Sequence, residues 1–209
     1  MILCDIGNSS ANFLNDTKLS SLSLDKFREF QSSEKIFYIN VNESLKEHLK
    51  HKQNFFDLEP FFKFDTIYKG LGVDRIAACY SIESGVVVDA GSAITVDIMA
   101  NKIHLGGFIM PGIASYRKAF KEISPRLNLE LNTQVILDAF PQKTMDAISY
   151  GVFKGIVLLI QNTINSQKTQ LFFTGGDGHV LTPFFDRAIY NKLLIFLGMK
   201  KVIEENHLA

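Results

Sequence analysis

Val86-Val87-Val88-Asp89-Ala90-Gly91-Ser92-Ala93-Ile94-Thr95-Val96-Asp97 holds a β-branched run, a bend of small residues and a second apolar run from Ile94 to Met99. The runs read as two strands and the bend as a tight turn between them. Asp89 stands at the turn's start and the hydroxyls of Ser92 and Thr95 follow. With no bulky side chain in the way, backbone N–H and short O–H groups there can approach an anion closely. Ile2-Leu3-Cys4-Asp5-Ile6-Gly7-Asn8-Ser9-Ser10 repeats the order of strand, Asp-x-Gly and hydroxyls near the start of the chain. Two such turns, each opening half of the chain, predict two related lobes, 1–84 and 85–209, facing one phosphate-bearing ligand. A boundary near Ser84-Gly85 fits the restart of the pattern.

Around this pair the chain reads as an α/β protein. Hairpins are expected at Asn15-Asp16 and Asn101-Lys102, and buried strands at 36–39 and 171–173. The Phe-rich segment 55–64 reads as further strands. Helices are expected over 25–31, 43–52, 76–82, 113–122, from Thr144 through 159, near 180–185 and over 193–205. Asp74 is placed to cap the third of these and Thr144 to cap the long one.

Among the 209 residues 46% are hydrophobic, enough for an ample core. Acidic and basic residues balance to a net charge of zero, which favours neither nucleic acid nor an anionic membrane as partner. The apolar start is too short for a signal peptide, and the run Ile156 to Ile160 is too short to span a bilayer. Cys4 and Cys79 fit no metal spacing. A soluble cytoplasmic protein is the expectation.

Several familiar sites are excluded. There is no G-x-x-x-x-G-K-[ST] loop, and Gly70-x-Gly72 lacks a third glycine because Arg75 stands there. The sequence has no serine nucleophile elbow. For Asp5 or Asp89 alone, capping of its own turn is the plainer reading. For the duplicated pair, work on a cation and a phosphate is favoured, since a carboxylate ending an apolar strand is costly unless paired or near a cation. Thr174-Gly175-Gly176-Asp177-Gly178 reads either as a plain strand-to-helix turn or as one whose glycines allow a base and ribose to lie flat against the backbone. Asp74 reads equally as a helix cap or as a proton acceptor beside the Arg75 guanidinium.

The ordered set Asp5-Ile-Gly-Asn-Ser9, Gly72-Val-Asp74-Arg75, Asp89-Ala-Gly-Ser-Ala-Ile-Thr95 and Thr174-Gly-Gly-Asp-Gly178 resembles the type III pantothenate kinases. These belong to the acetate and sugar kinase/Hsp70/actin superfamily. The resemblance covers nearly the whole chain. It implies two ribonuclease-H-like lobes with mixed sheets, flanking helices and a nucleotide cleft between them. The implied reaction is ATP-dependent phosphorylation of pantothenate to 4'-phosphopantothenate, the first step towards coenzyme A.

Carried over by residue, the first phosphate turn is Asp5, Ile6, Gly7, Asn8, Ser9, Ser10, Ala11 and Asn12. Ser92 takes the ATP-contacting place in the second turn, and Gly175 and Gly176 belong to the nucleotide turn. Asp89 matches a monovalent-cation ligand for potassium or ammonium, and magnesium accompanies ATP. Gly72, Val73, Asp74 and Arg75 match the pantothenate loop with Asp74 as proton acceptor, and Tyr68 matches a substrate-contacting tyrosine. Thr144 matches a threonine that reaches pantothenate from the other subunit of a homodimer. Ser9 and Ser92 stand where the family usually carries threonine; each keeps the hydroxyl and loses a methyl. The rival readings are a superfamily kinase for another small alcohol, a nucleotide-binding phosphatase, and a non-catalytic nucleotide-binding regulator.

Overall fold

The computed structural model describes residues 1–164 and 169–208. By its contacts the chain divides into two compact units. One comprises Met1–Glu83, Met99–Gly106 and Leu193–Ala209, and the other Ser84–Ile98 and Gly107–Lys192. A single cut at residue 84 follows chain order, whereas this grouping places the tip of a central hairpin and the last helix with the first unit.

The first unit starts with β1 (Ile2–Ile6), all five residues of which are buried. It pairs antiparallel with β2 (Ser10–Asn15), which turns back at Asp16 into β3 (Lys18–Ser23). On its other edge β1 pairs parallel with β4 (Ile36–Asn40), and β4 with β5 (Phe55–Asp57). The sheet order is therefore β3-β2-β1-β4-β5. Helix α1 (Leu24–Glu29) is capped by Ser23, whose hydroxyl accepts from the Lys26 N–H, with Asp25 in its first turn. It buries Phe27 against Phe13, ring centres 6.1 Å apart. After α2 (Lys46–Lys50) and β5, the expected Phe-rich strands give way to a 3₁₀ turn at Glu59–Phe61. Pro60 has no N–H to give a ladder, and Phe56 stacks on Phe61 within the segment.

The second sheet repeats the plan. The strands β7 (Gly85–Ala90), β8 (Ala93–Ala100) and β9 (Ile103–Pro111) follow one another, and β10 (Leu171–Thr174) pairs parallel with both β7 and β11 (Ile189–Tyr190). The order β9-β8-β7-β10-β11 matches the first sheet strand for strand, with the short β6 (Asp65–Thr66) added beside β9. Asn101 and Lys102 both take positive φ at the β8–β9 bend, as a type I′ hairpin requires. The helices of this unit are α4 (Ile113–Ile123), α5 (Thr144–Thr163) and α6 (Gly178–Leu181). Val152, Phe153, Ile156 and Ile160 of α5 share one core with Val86, Val88 and Phe173. No helix of the described residues is long and apolar enough to cross a membrane.

Helix α3 (Val73–Tyr80) packs against the terminal helix α7 (Leu194–Glu205) in the first unit. The crossing depends on Gly198. A Cβ there would lie 1.8 Å from the Ala77 carbonyl oxygen, backbone that cannot swing aside. Gly198→Ala is therefore expected to destabilise by about 1–3 kcal/mol or more, because overpacking forces backbone shifts. Differential scanning calorimetry should show a melting point several degrees lower; an unchanged one would mean that the helices separate freely.

Candidate active site

Each sheet ends in a turn that carries an aspartate, and the first unit adds a loop. At the end of β1, Asp5 is 8% exposed. It lies opposite Asn12 in the β1–β2 register, and Asn12 hydrogen-bonds its carboxyl. The Gly7 N–H donates to the Ser10 carbonyl at 2.9 Å, closing a turn that exposes Asn8 and Ser9. Burial, reinforced by the negative charge of Asp74, pushes the Asp5 carboxyl up to about 7, while the Asn12 bond acts the other way. The residues read as the first phosphate turn, Asp5 through Asn12, thus form one continuous hairpin end.

The segment from Tyr68 to Arg75 differs from expectation at the helix start. Gly72, not Asp74, is the N-cap, and Asp74 is the second residue of α3. The Asp74 Oδ1 accepts from the Arg75 N–H at 2.7 Å, a bond that also suits a carboxylate in a first helical turn. Gly72 is needed for that placement: a Cβ on it would stand 2.6 Å from Asp74 Oδ1. Val73 is buried. Arg75 is only 5% exposed, with its guanidinium 5.0 Å from the centre of the Tyr68 ring. That burial sets Arg75 apart from an ordinary solvated first-turn arginine. Asp5, Tyr68, Gly72, Val73, Asp74 and Arg75 all belong to the first unit.

Sequence reading missed His104, which is 1% exposed. Its Nδ1 pairs with Thr66 Oγ1 at 2.7 Å, and the same oxygen accepts the Tyr68 N–H at 3.0 Å. Thr66 lies 38 residues away in sequence, so no local spacing could have found the pair.

In the second unit Gly91 N–H donates to the Ala93 carbonyl at 2.9 Å, making the β7–β8 turn, with Ser92 exposed at its tip. Gly112 backs this turn closely, since a Cβ there would meet the Gly91 oxygen at 2.3 Å. Asp89 pairs in register with Thr174 at the end of β10. Gly175 follows with φ +79°, and a Cβ on it would lie 2.3 Å from Asp89 Oδ1 and 2.4 Å from the Ala90 oxygen. The structure therefore brings Asp89, Gly175 and Gly176 together on adjacent strand ends. Thr144 is the exposed first residue of α5, with Lys143, not Thr144, at the cap position. Asn132 pins that helix start through Asp146 at 2.9 Å and Ser149 at 2.8 Å.

No group of three or more His, Cys, Asp or Glu suited to a metal ion occurs among the described residues. The Asp89 carboxylate offers oxygen donors instead, beside the Ala90 carbonyl that accepts the Asp177 N–H at 2.8 Å. Such a set fits a hard cation that takes its remaining ligands from water or phosphate oxygens.

Solved structures of low sequence identity share this fold. MreB 5 of Spiroplasma citri bound to AMPPNP superposes with a TM-score of 0.52 at 9% identity, covering 99% of this chain and 97% of that one. This defines the class as the actin-like ATPase fold. The sequence profile of the type III pantothenate kinases matches residues 43–166. The type III pantothenate kinase of Campylobacter jejuni is 69% identical over 206 residues, covering 99% of this chain and 98% of its own. A C. jejuni crystal structure described as a conserved putative Baf family transcriptional activator matches over the whole of both chains, with TM-score 0.92 and 66% identity. The chain belongs to the type III pantothenate kinase family.

Proposed function

We propose that this chain transfers the γ-phosphoryl group of ATP to the primary hydroxyl of pantothenate, giving 4'-phosphopantothenate and opening the route to coenzyme A. Family membership supports the reaction. The observation that carries the site assignment is Asp74. Its carboxylate sits in the first turn of α3 beside the buried Arg75, near enough to the turn-bearing Asp5 to raise the latter's pKa.

Phosphoryl transfer asks the protein mainly for positioning and for neutralisation of charge. Asp5, Ile6, Gly7, Asn8, Ser9, Ser10, Ala11 and Asn12, with Ser92, Gly175 and Gly176, are the assigned ATP contacts. Their backbone N–H and hydroxyl groups supply donors for phosphate oxygens. Magnesium bound with ATP neutralises phosphate charge. Asp74 accepts the proton of the pantothenate hydroxyl as the bond to phosphorus forms. Arg75, held against Tyr68, presents a charge to the substrate carboxylate. Gly72, Val73 and Tyr68 complete the pantothenate contacts, and Thr144 adds one across a homodimer with its active site at the subunit interface. Asp89 is assigned the monovalent cation, potassium or ammonium. The protein is assigned to the cytoplasm.

Two experiments test this reading. Incubation with ATP and a panel of small alcohols and acids, read by mass spectrometry, should give phosphorylated product with pantothenate far ahead of the rest. Conversion of another alcohol in preference would point to a different superfamily kinase. Replacing potassium by sodium is expected to remove most of the activity and ammonium to restore it. Full activity in sodium alone would overturn the Asp89 assignment. A regulator acting on nucleic acid is the weaker reading, since acidic and basic residues balance.

A further inference from the structure

Tyr190 was singled out by nothing in the sequence, yet one side chain clamps both ends of the 175–178 turn. β11 runs parallel beside β10, with Tyr190 in register with Phe173 and the Asn191 N–H donating to the Phe173 carbonyl at 2.8 Å. That pairing puts the phenol alongside the turn that follows β10. The Tyr190 hydroxyl donates to the Gly175 carbonyl at 3.1 Å. At the other end its ring lies against Gly178, where a Cβ would meet ring carbon Cε2 at 2.8 Å. The turn is also held by the His179 Nδ1–H donating to the Gly176 carbonyl at 2.8 Å, with the His179 and Tyr190 ring centres 6.1 Å apart, and by the Asp177 N–H donating to the Ala90 carbonyl at 2.8 Å.

The turn needs such tethering. Glycines lose more conformational freedom on ordering than any other residue, and this turn holds three in four residues. Gly175 has taken a left-handed φ of +79° with Asp89 Oδ1 and the Ala90 oxygen close over its Cα. A free turn would have to be ordered when a ligand arrives, and that cost would appear as lost affinity. Burial, with Asp177 and Asp89 nearby, raises the pKa of the phenol, so the hydroxyl keeps its proton as a donor through the neutral range.

We infer that Tyr190 is a positioning residue for the nucleotide: its hydroxyl and ring preorganise the Gly175–Gly178 turn, and with it the Asp89 carboxylate. This rests on the proposed kinase reading for the identity of the nucleotide, ATP. Its effect should fall on ATP and the monovalent cation and leave pantothenate alone.

The test compares wild type, Tyr190→Phe and Tyr190→Ala. Removing the hydroxyl alone is expected to raise KM for ATP by about 3–10-fold, the range for one lost hydrogen bond. Tyr190→Ala, which also uncovers Gly178, should raise it further, and both should need more potassium for half activation. KM for pantothenate and kcat at saturating ATP should stay near wild type. A KM for ATP within about twofold of wild type in both variants would overturn the inference, whatever happens to the melting temperature. So would equal rises in both KM values, the mark of a general loosening. Titration with the fluorescent analogue TNP-ATP is run on the same proteins. If wild type binds TNP-ATP but transfers nothing to pantothenate, the kinase reading fails, while weaker binding by Tyr190→Phe still supports the role of Tyr190 and equal binding refutes it.

Discussion

Asp74→Asn is expected to lower kcat by roughly 10²–10⁴-fold, the usual cost of removing a positioned general base. Binding of ATP should change little, because Asp74 is assigned to the acceptor alcohol. The substitution is structurally mild. An asparagine oxygen can still accept the Arg75 N–H that Asp74 Oδ1 holds at 2.7 Å, and no volume is added near Gly72. Loss of a carboxylate from a first helical turn costs only about 0.3–1 kcal/mol. Rapid-quench or steady-state turnover, combined with calorimetric ATP titration, separates chemistry from binding. Near-wild-type turnover would leave Asp74 with a helix-stabilising role alone.

Asp5→Asn is expected to stabilise the ligand-free protein above about pH 4. The buried Asp5 carboxyl keeps its proton up to about pH 7 in the folded chain, against an ordinary value of 3.8. Between those values the unfolded chain has released a proton that the folded chain retains. The stability contributed by this group is therefore complete below about pH 4 and is lost as pH rises through 7. The displacement corresponds to about 4 kcal/mol, read as an upper bound for a carboxyl coupled to Asp74. An asparagine has no such dependence. The melting temperature of Asp5→Asn should match wild type near pH 4 and exceed it by up to roughly 10 °C at pH 8. A difference that stays constant across that range would show that Asp5 is ionised in the folded protein at all these pH values.

The duplicated plan was legible because its signals are local. Apolar runs broken by small-residue turns gave β1, β2, β7 and β8, and positive-φ residues at 101–102 fell where a hairpin was expected. Helix starts were less legible. An aspartate is favourable both at a cap and in the first turn, so composition does not distinguish Asp74 at the cap from Asp74 two residues past it. Gly72 decided it by leaving room for the carboxylate. Chain order hid the place of α7, whose packing on α3 depends on Gly198. The burial of Arg75, the Thr66–His104 pair and the Tyr190 tether all come from residues distant in sequence. No periodicity carries such information.

An aspartate beside the phosphate turn is assigned to drive transfer to one particular alcohol. The most direct measurement is ADP release by the full chain at fixed ATP in potassium buffer, with pantothenate added or withheld. Release that depends on pantothenate and matches 4'-phosphopantothenate mole for mole is the predicted result. ATP consumption indifferent to pantothenate, or none in potassium or ammonium, would contradict it.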